Sequence, residues 1–156
     1  VFKSIVKLDD SAVCFWIGTG SLEQHYRDEI AHDGLSDHIF MVGVQSDIPQ
    51  WLAAFDCFIF PSLWEGLPVS LVEAQAMGLP CLISDSVTSE IGITELAVFC
   101  GLDKAPEVWA DKAIRLARKY MGFRTSPDEK IRNAGYDIEE SSKLLARYYF
   151  DNYRRK

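Results

Sequence analysis

Residues 56–84 read DCFIFPSLWEGLPVSLVEAQAMGLPCLIS, and they carry the strongest structural signal in the chain. The stretch opens with a short apolar, β-prone run at Cys57–Phe60, which predicts a buried strand. An apolar helix is predicted next, at about Leu67–Met77, with Gly78 as its stop signal. A second apolar run at Cys81–Ser84 predicts another strand. The stretch therefore predicts a strand–helix–strand unit with a right-handed parallel crossover.

The same alternation continues on both sides of this unit. Further strands are predicted at Val13–Ile17, Ile39–Val42 and Ala97–Cys100. Further helices are predicted at residues 21–33, 47–55, 106–120, 127–133 and 138–155. Four of these helices begin with capping motifs, which are Ser21 with Gln24, Asp47, Ser126 with Glu129, and Asp137 with Glu140. Strands this short and apolar are typical of sheets buried on both faces. The sequence predicts an α/β fold with a Rossmann-like, doubly wound parallel sheet.

Length and charge limit the classes of function. The chain has 156 residues, of which 48% are hydrophobic, a size and composition typical of one globular domain. Its net charge of −7 argues against a nucleic acid or an anionic membrane surface as the main partner. No apolar run approaches the ~20 residues of a membrane span, and no signal peptide opens the sequence. The start, Val1–Ile5, resembles the middle of a helix, so we expect a piece of a longer protein.

The cysteines give no sign of a metal site. Cys14, Cys57, Cys81 and Cys100 each lie within an apolar run, and their wide spacing forms no CxxC pair and no zinc pattern. This arrangement favours small buried side chains in neighbouring strands of a reduced, cytoplasmic protein. We therefore expect no bound metal.

Four loops follow the predicted strands, at Gly18–Ser21, Gly43–Asp47, Pro61–Val69 and Ser84–Glu90. Ligands of doubly wound sheets bind beyond the carboxyl ends of the strands, so these loops form the predicted ligand edge. The segment between Arg27 and Lys104 includes three of them and contains neither lysine nor arginine. An anionic ligand at this edge must therefore be bound by backbone amides and helix N-termini, with any cation supplied from elsewhere.

The Gly18-Thr19-Gly20 turn is not a dinucleotide fingerprint, because Glu23 stands where that motif requires a third glycine. Two interpretations stay open for it: a structural tight turn, or backbone N–H groups at a helix start that contact a phosphate.

Two carboxylates belong to the region of the helix predicted at Leu67–Met77: Glu65 stands just before its start, and Glu73 lies within it. Glu65 and Glu73 are eight residues apart, which corresponds to ~12 Å along the axis if both belong to one helix. Carboxylate pairs that hydrolyse a glycosidic bond lie roughly 5–9.5 Å apart, so this pair does not fit one bond. The spacing suits an extended ligand held at two ends. The alternative is a helix cap plus an ordinary surface glutamate. Because Glu73 is flanked by apolar residues, we expect its helix to be substantially buried and its carboxylate to need a partner.

The residues Glu65–Ala74 followed by Met77–Pro80 closely resemble the EX7E signature of retaining GT-B glycosyltransferases, and in particular the large family 4 group of bacterial polysaccharide synthesis. The surrounding order is similar too: a Gly-x-Gly turn after a strand, then Phe40–Gly43, then Asp56–Ser62. The resemblance is strong from about Val13 to Cys100 and looser in the C-terminal helices. It implies that residues 1–156 are one nucleotide-sugar-binding domain, half of a GT-B architecture, with C-terminal helices at about 106–155 and the N-terminal acceptor domain absent.

The resemblance also implies roles for individual residues. Glu65 looks like the catalytic-site glutamate that contacts donor-sugar hydroxyls near the reacting carbon. The backbone of Gly66, Leu67, Pro68 and Val69 looks like the loop that holds the donor diphosphate. Glu73 looks like the glutamate that binds the ribose hydroxyls, and the loop at Val44 and Gln45 resembles the one whose backbone meets the base. The resemblance also implies that the enzyme binds no metal and no other cofactor.

The function implied is transfer of a sugar, with retention, from a nucleoside diphosphate sugar to an acceptor hydroxyl. A UDP-sugar is the favoured donor, and capsular, exopolysaccharide or other surface-glycan synthesis is the expected setting. The acceptor would be a glycan or a lipid-linked glycan, bound through the missing domain. The family's basic pair for the donor diphosphate is likewise expected upstream of this sequence. For the full-length enzyme we expect a cytoplasmic location and peripheral association with the inner face of the membrane. The fragment alone is expected to be inactive.

Two other functions stay open. An epimerase of the same architecture would need different acid–base residues, and none of His25, His32 and His38 stands at a convincing strand end. A non-enzymatic α/β interaction domain of the receiver type would need an acidic cluster closing the first strand, where Gly18-Thr19-Gly20 stands instead.

The last predicted helix, at residues 138–155, resembles a terminal helix that packs on the N-terminal domain. Its apolar residues Leu144, Leu145, Tyr148 and Tyr149 are therefore expected to be partly exposed here, as a patch that could drive association.

Overall fold

The strands of the computed structural model, which describes residues Val1–Tyr153, all pair in parallel. In chain order they are β1 (Cys14–Ile17), β2 (Ile39–Gly43), β3 (Phe58–Phe60), β4 (Cys81–Ser84) and β5 (Ala97–Cys100). They form two hydrogen-bonded groups, β1–β2 and β3–β4–β5, with every residue of the central strand β4 buried. The predicted α/β fold with parallel strands is confirmed.

Helices separate the first four strands, a short 3-10 turn separates β4 from β5, and further helices follow the last strand. The helices are α1 (Phe2–Leu8), α2 (Glu23–His32), α3 (Ile48–Ala54), α4 (Val69–Ala76), α5 (Pro106–Tyr120), α6 (Asp128–Asn133) and α7 (Ile138–Tyr153), with a 3-10 turn at Ser89–Ile91. The bounds predicted for α5 agree with the structure. The prediction that the last helix continues to Arg155 lies outside the described residues.

Two of the four predicted helix caps are wrong. Asp47 accepts a hydrogen bond from the Gln50 N–H at the start of α3, and Asp137 accepts the N–H groups of Glu139 and Glu140 before α7, as predicted. No side chain caps α2 or α6. The Ser126 hydroxyl donates instead to the carbonyl of Ala76, at 2.6 Å. The local cap is missing because α6 begins at Asp128, so that Pro127 and not Ser126 occupies the N-cap position.

Apolar clusters cover both faces of the β3–β4–β5 group. On one face Leu52 of α3 and Leu71 of α4 pack with Ile83 and Ile91. On the other face Ile5 of α1 packs with Trp109 and other residues of α5. Phe15 of β1 stacks against Phe40 and Phe55 and links the β1–β2 group to the α3 side. The sheet is thus covered on both sides, as a doubly wound arrangement requires.

Helix α7 presents an apolar face that the described part of the chain does not cover. None of its residues is buried, and Leu144, Leu145, Tyr148 and Tyr149 are exposed by 54 to 68%. The predicted exposure of these side chains is confirmed, and their role in association stays a prediction. Among the described residues, no helix is long and apolar enough to cross a membrane.

The four cysteines are free thiols. Cys81 and Cys100 are buried, and Cys14 and Cys57 are half-buried. Burial raises the pKa of Cys14 to about 11 and that of Cys57 to about 12, because an apolar environment disfavours the thiolate. These side chains act as small apolar groups, as the sequence predicts.

Candidate functional site

The loops after β1, β2 and β3 lie at the carboxyl edge of the parallel strands. The first two are joined directly, since the Gly18 N–H donates to the Gly43 carbonyl at 2.8 Å. The third runs from Pro61 to Pro68 and leads into α4. The first two candidate loops are therefore in direct contact, and the third follows a parallel strand at its carboxyl end, where ligands of such sheets bind.

The loop before α4 exposes its side chains. Glu65 is exposed, and one of its carboxylate oxygens accepts a hydrogen bond of 3.0 Å from the Ser62 hydroxyl. The adjacent Leu63 and Trp64 are exposed by 81% and 83%. The Ser62 bond restrains the Glu65 carboxylate, which is otherwise open to solvent.

Helix α4 begins without a side-chain cap. Its N-cap residue is Pro68, which is buried and extended. Leu67 and Val69 on either side of it are exposed, as is Gly66. The first N–H groups of a helix have no partner within the helix, and no side chain of the described residues caps them here. The positive end of α4 is thus available to an anion at this edge.

Glu73 lies on the outward face of α4 and is exposed. The buried face of the helix consists of Leu71, Val72, Ala74 and Gln75. The expectation that Glu73 needs a protein partner is therefore wrong, because its apolar sequence neighbours point to the opposite side of the helix. The condition attached to the spacing of Glu65 and Glu73, that both belong to one helix, is not met, since α4 begins only at Val69.

The loop after β2 presents its backbone. Val44 is exposed by 75%. The side chain of Gln45 is half-buried and already engaged, because its amide nitrogen donates to the Val42 carbonyl at 2.7 Å and its oxygen accepts from the Trp51 indole at 3.3 Å. A ligand at this loop would therefore meet main-chain groups and the Val44 side chain.

Gln75, a buried polar residue near the C-terminal end of α4, is the first of two residues that sequence reasoning misses. It is fully buried, and its amide nitrogen donates to the carbonyls of Leu71 and Ile91. Its oxygen accepts from both the N–H and the hydroxyl of Thr94. These bonds fasten the loop after β4 to α4. A polar residue between Ala74 and Ala76 in an apolar helix is the signal that could have revealed it.

Arg124 is the second residue that sequence reasoning misses. Its guanidinium donates to the carbonyls of Leu52, Ala53 and Phe55 at 2.7–2.9 Å, and to that of Met77 at 3.2 Å. Its partners precede it by 47 to 72 residues, so no local pattern could indicate the contact.

The class of protein follows from these features: a parallel α/β domain whose ligand edge offers main-chain amides, a helix N-terminus and two exposed glutamates. More particularly, the chain belongs to the family Glycosyl transferases group 1, whose family model matches residues 1–119. The membership confirms the resemblance seen in the sequence and supports neither the epimerase nor the interaction-domain alternative.

Two curated relatives illustrate the similarity. The chain is 35% identical over 133 residues to the putative glycosyltransferase EpsF of Bacillus subtilis, a match that covers 85% of this chain and 35% of the relative. It is 40% identical over 70 residues to an Escherichia coli UDP-Gal:α-D-GlcNAc-diphosphoundecaprenol α-1,3-galactosyltransferase, covering 44% of this chain and 18% of the relative. The chain thus spans about a third or less of the length of these two relatives.

Solved structures share the fold. TarM of Staphylococcus aureus superposes with a TM-score of 0.75 at 20% identity, covering 92% of this chain and 30% of that one. HepE of Anabaena, solved in complex with UDP, superposes with a TM-score of 0.70 at 19% identity, covering 96% of this chain and 44% of that one. The domain therefore has the Rossmann-like fold of GT-B glycosyltransferases.

Proposed function

We propose that this chain is the donor-binding domain of a retaining glycosyltransferase. The observation that carries the proposal is the exposed, uncapped N-terminus of α4, with an exposed glutamate before it and another on its outward face. The donor would be a nucleoside diphosphate sugar, and UDP is the favoured nucleotide. Support for UDP comes from the Escherichia coli relative, whose name specifies UDP-Gal, and from HepE, whose structure holds UDP.

The diphosphate would lie over the start of α4. Gly66, Leu67 and Val69 each have a backbone N–H to offer, whereas Pro68 has none and can only shape the loop. Amides fixed in this way stabilise the charge that develops on a leaving diphosphate, without reorganising during the reaction. The segment between Arg27 and Lys104 has no lysine or arginine, so the cations would come from parts of the enzyme outside this segment.

The nucleoside would extend from α4 toward the β2 loop. Glu73 would accept hydrogen bonds from the ribose hydroxyls, a role for which an exposed carboxylate on the outward face of α4 is suited. The base would meet the backbone of Val44 and Gln45, because the Gln45 side chain is held by Val42 and Trp51. Val44 adds an exposed apolar side chain against which a base can pack.

Glu65 would contact hydroxyls of the donor sugar near the reacting carbon. In the transfer, the bond between that carbon and the diphosphate oxygen breaks, and the acceptor oxygen forms the new bond on the same face. The acceptor hydroxyl loses its proton as it attacks, and the departing diphosphate oxygen accepts that proton. The acceptor would be a glycan or a lipid-linked glycan in surface-polysaccharide synthesis, bound outside this chain at the cytoplasmic face of the membrane.

The proposal is tested by titrating the isotope-labelled chain with UDP, GDP and ADP while recording amide NMR spectra. We expect shifts at residues 66–70, at Glu73 and at Val44–Gln45, largest for UDP. The variant Glu73→Ala should weaken binding, whereas Glu29→Ala, which removes an exposed glutamate on α2, should not. Nucleotide shifts confined to other loops, or equal affinity in the Glu73→Ala variant, would contradict the proposed site.

A further inference from the structure

Arg124 joins the C-terminal ends of the two helices that begin at the candidate site. Three of its four carbonyl partners, Leu52, Ala53 and Phe55, belong to the last turn and C-cap of α3, and the fourth, Met77, is the C-cap of α4. The last carbonyls of a helix have no partner within it, and a cation there also suits the helix dipole. One guanidinium thus donates hydrogen bonds to carbonyls at the C-terminal ends of both helices.

Arg124 lies away from the ligand edge. A helix that connects parallel strands runs opposite to them, so the C-termini of α3 and α4 lie at the end of the sheet remote from the loops. At 1.5 Å per residue, each helix separates Arg124 from its candidate loop by roughly 10–12 Å. Arg124 therefore acts on the loops through the helices and not by touching a nucleotide.

The contact supplies a directional constraint that the apolar core lacks. Leu52 of α3 and Leu71 of α4 pack in the same cluster, but apolar packing is non-directional. Four hydrogen bonds from a planar guanidinium fix both distance and angle. A neighbouring residue strengthens this contact, because the Ser126 hydroxyl donates a hydrogen bond to the Ala76 carbonyl at the end of α4.

We propose that Arg124 is a positioning residue, which sets the spacing between the Val44–Gln45 loop before α3 and the Gly66–Val69 loop before α4. The inference rests on the proposed function, in which one nucleotide spans both loops. A guanidinium that fixes two helices against each other would hold the base contact and the diphosphate contact at the separation that the nucleotide requires.

The test compares Arg124→Met with the wild-type chain at a temperature where both are folded. Two indole N–H signals in NMR spectra report the two halves of the site: Trp51 on α3, which bonds Gln45, and Trp64 beside Glu65. We expect the Trp51 signal to shift and the dissociation constant for UDP to rise roughly tenfold, within the range for mutations that alter coupling between distant groups. If Arg124 only stabilises the fold, Arg124→Met should lower the melting temperature but leave the Trp51 signal and the dissociation constant for UDP unchanged.

Two further variants complete the comparison. Arg124→Lys keeps the charge without the planar guanidinium, and it should weaken UDP binding by less than Arg124→Met. If Arg124→Met does not fold, the UDP affinity of Arg124→Lys relative to the wild-type chain tests the inference. Arg115→Met removes an exposed arginine of α5 that pairs with Asp111, and it should bind UDP like the wild-type chain. Wild-type UDP affinity in a folded Arg124 variant, with or without an indole shift, would overturn the inference alone. Absence of UDP binding by the wild-type chain would instead refute the proposed function on which the inference depends.

Discussion

Replacement of Gly78 by alanine tests how closely the segment at residues 124–126 packs against α4. Gly78 follows α4 with a φ of +68°, a conformation that costs an L-residue roughly 1–2 kcal/mol. A Cβ there would also lie 2.6 Å from the backbone oxygen of Thr125. The backbone of that segment would have to move, and the bonds from Arg124 to Met77 and from Ser126 to Ala76 would be strained or lost.

We therefore expect Gly78→Ala to lower the free energy of unfolding by roughly 4 kcal/mol, which combines backbone strain with the loss of one charged and one neutral hydrogen bond. The matched control is Gly34→Ala. Gly34 follows α2 with a φ of +69°, but a Cβ there would meet no atom within 4 Å. Its cost should be only the strain, about 1–2 kcal/mol. The effect of alanine on the unfolded chain is the same at both positions and cancels in the comparison.

Urea unfolding followed by far-ultraviolet circular dichroism measures both variants. A cost for Gly78→Ala that equals the cost for Gly34→Ala within about 0.5 kcal/mol would refute the reasoning, because the close approach of Thr125 would then contribute nothing to stability.

Two further predictions concern buried groups. Gln75→Leu should lower the free energy of unfolding by roughly 3 kcal/mol, because it leaves the buried Thr94 N–H without its acceptor; Gln24→Leu on exposed α2 is the control, and equal costs would contradict the role of Gln75. Stability should also fall as pH rises above the ordinary thiol pKa of 9.0 toward the folded-state pKa of about 11 for Cys14 and about 12 for Cys57, since the unfolded chain loses these protons first. Urea unfolding at several pH values measures this fall of the free energy of unfolding with pH, and Cys57→Ala should make the fall less steep. An equally steep fall in that variant would contradict the contribution of the Cys57 thiol.

The order of strands and helices could be predicted because local residues determine it. Apolar runs such as Cys81–Ser84 end at turn residues, and Pro106 begins α5 at the residue where a proline is favoured. The Asp47 cap is equally local, since its acceptor and donor are three residues apart. At these positions the sequence and the fold favour the same conformation.

The errors arise where tertiary contacts override local patterns. Ser126 has the spacing of a capping residue, but α6 begins one residue later with Pro127 at its N-cap, and the Ser126 hydroxyl donates to the Ala76 carbonyl, 50 residues away. Glu73 has apolar neighbours in sequence, yet the helix turns them inward and leaves the carboxylate outside. The partners of Arg124 could not be found from any pattern around residue 124. The roles proposed for Glu65, Glu73 and the backbone at residues 66–69 stay predictions from the motif.

A crystal structure of the chain with bound UDP tests the central claim most directly. The account predicts the diphosphate on the backbone amides of residues 66–69, the ribose hydroxyls on Glu73 and the base against Val44–Gln45. UDP bound elsewhere would contradict it, for instance in the groove that Trp16, Gly18–Gly20 and Tyr26 line beside β1.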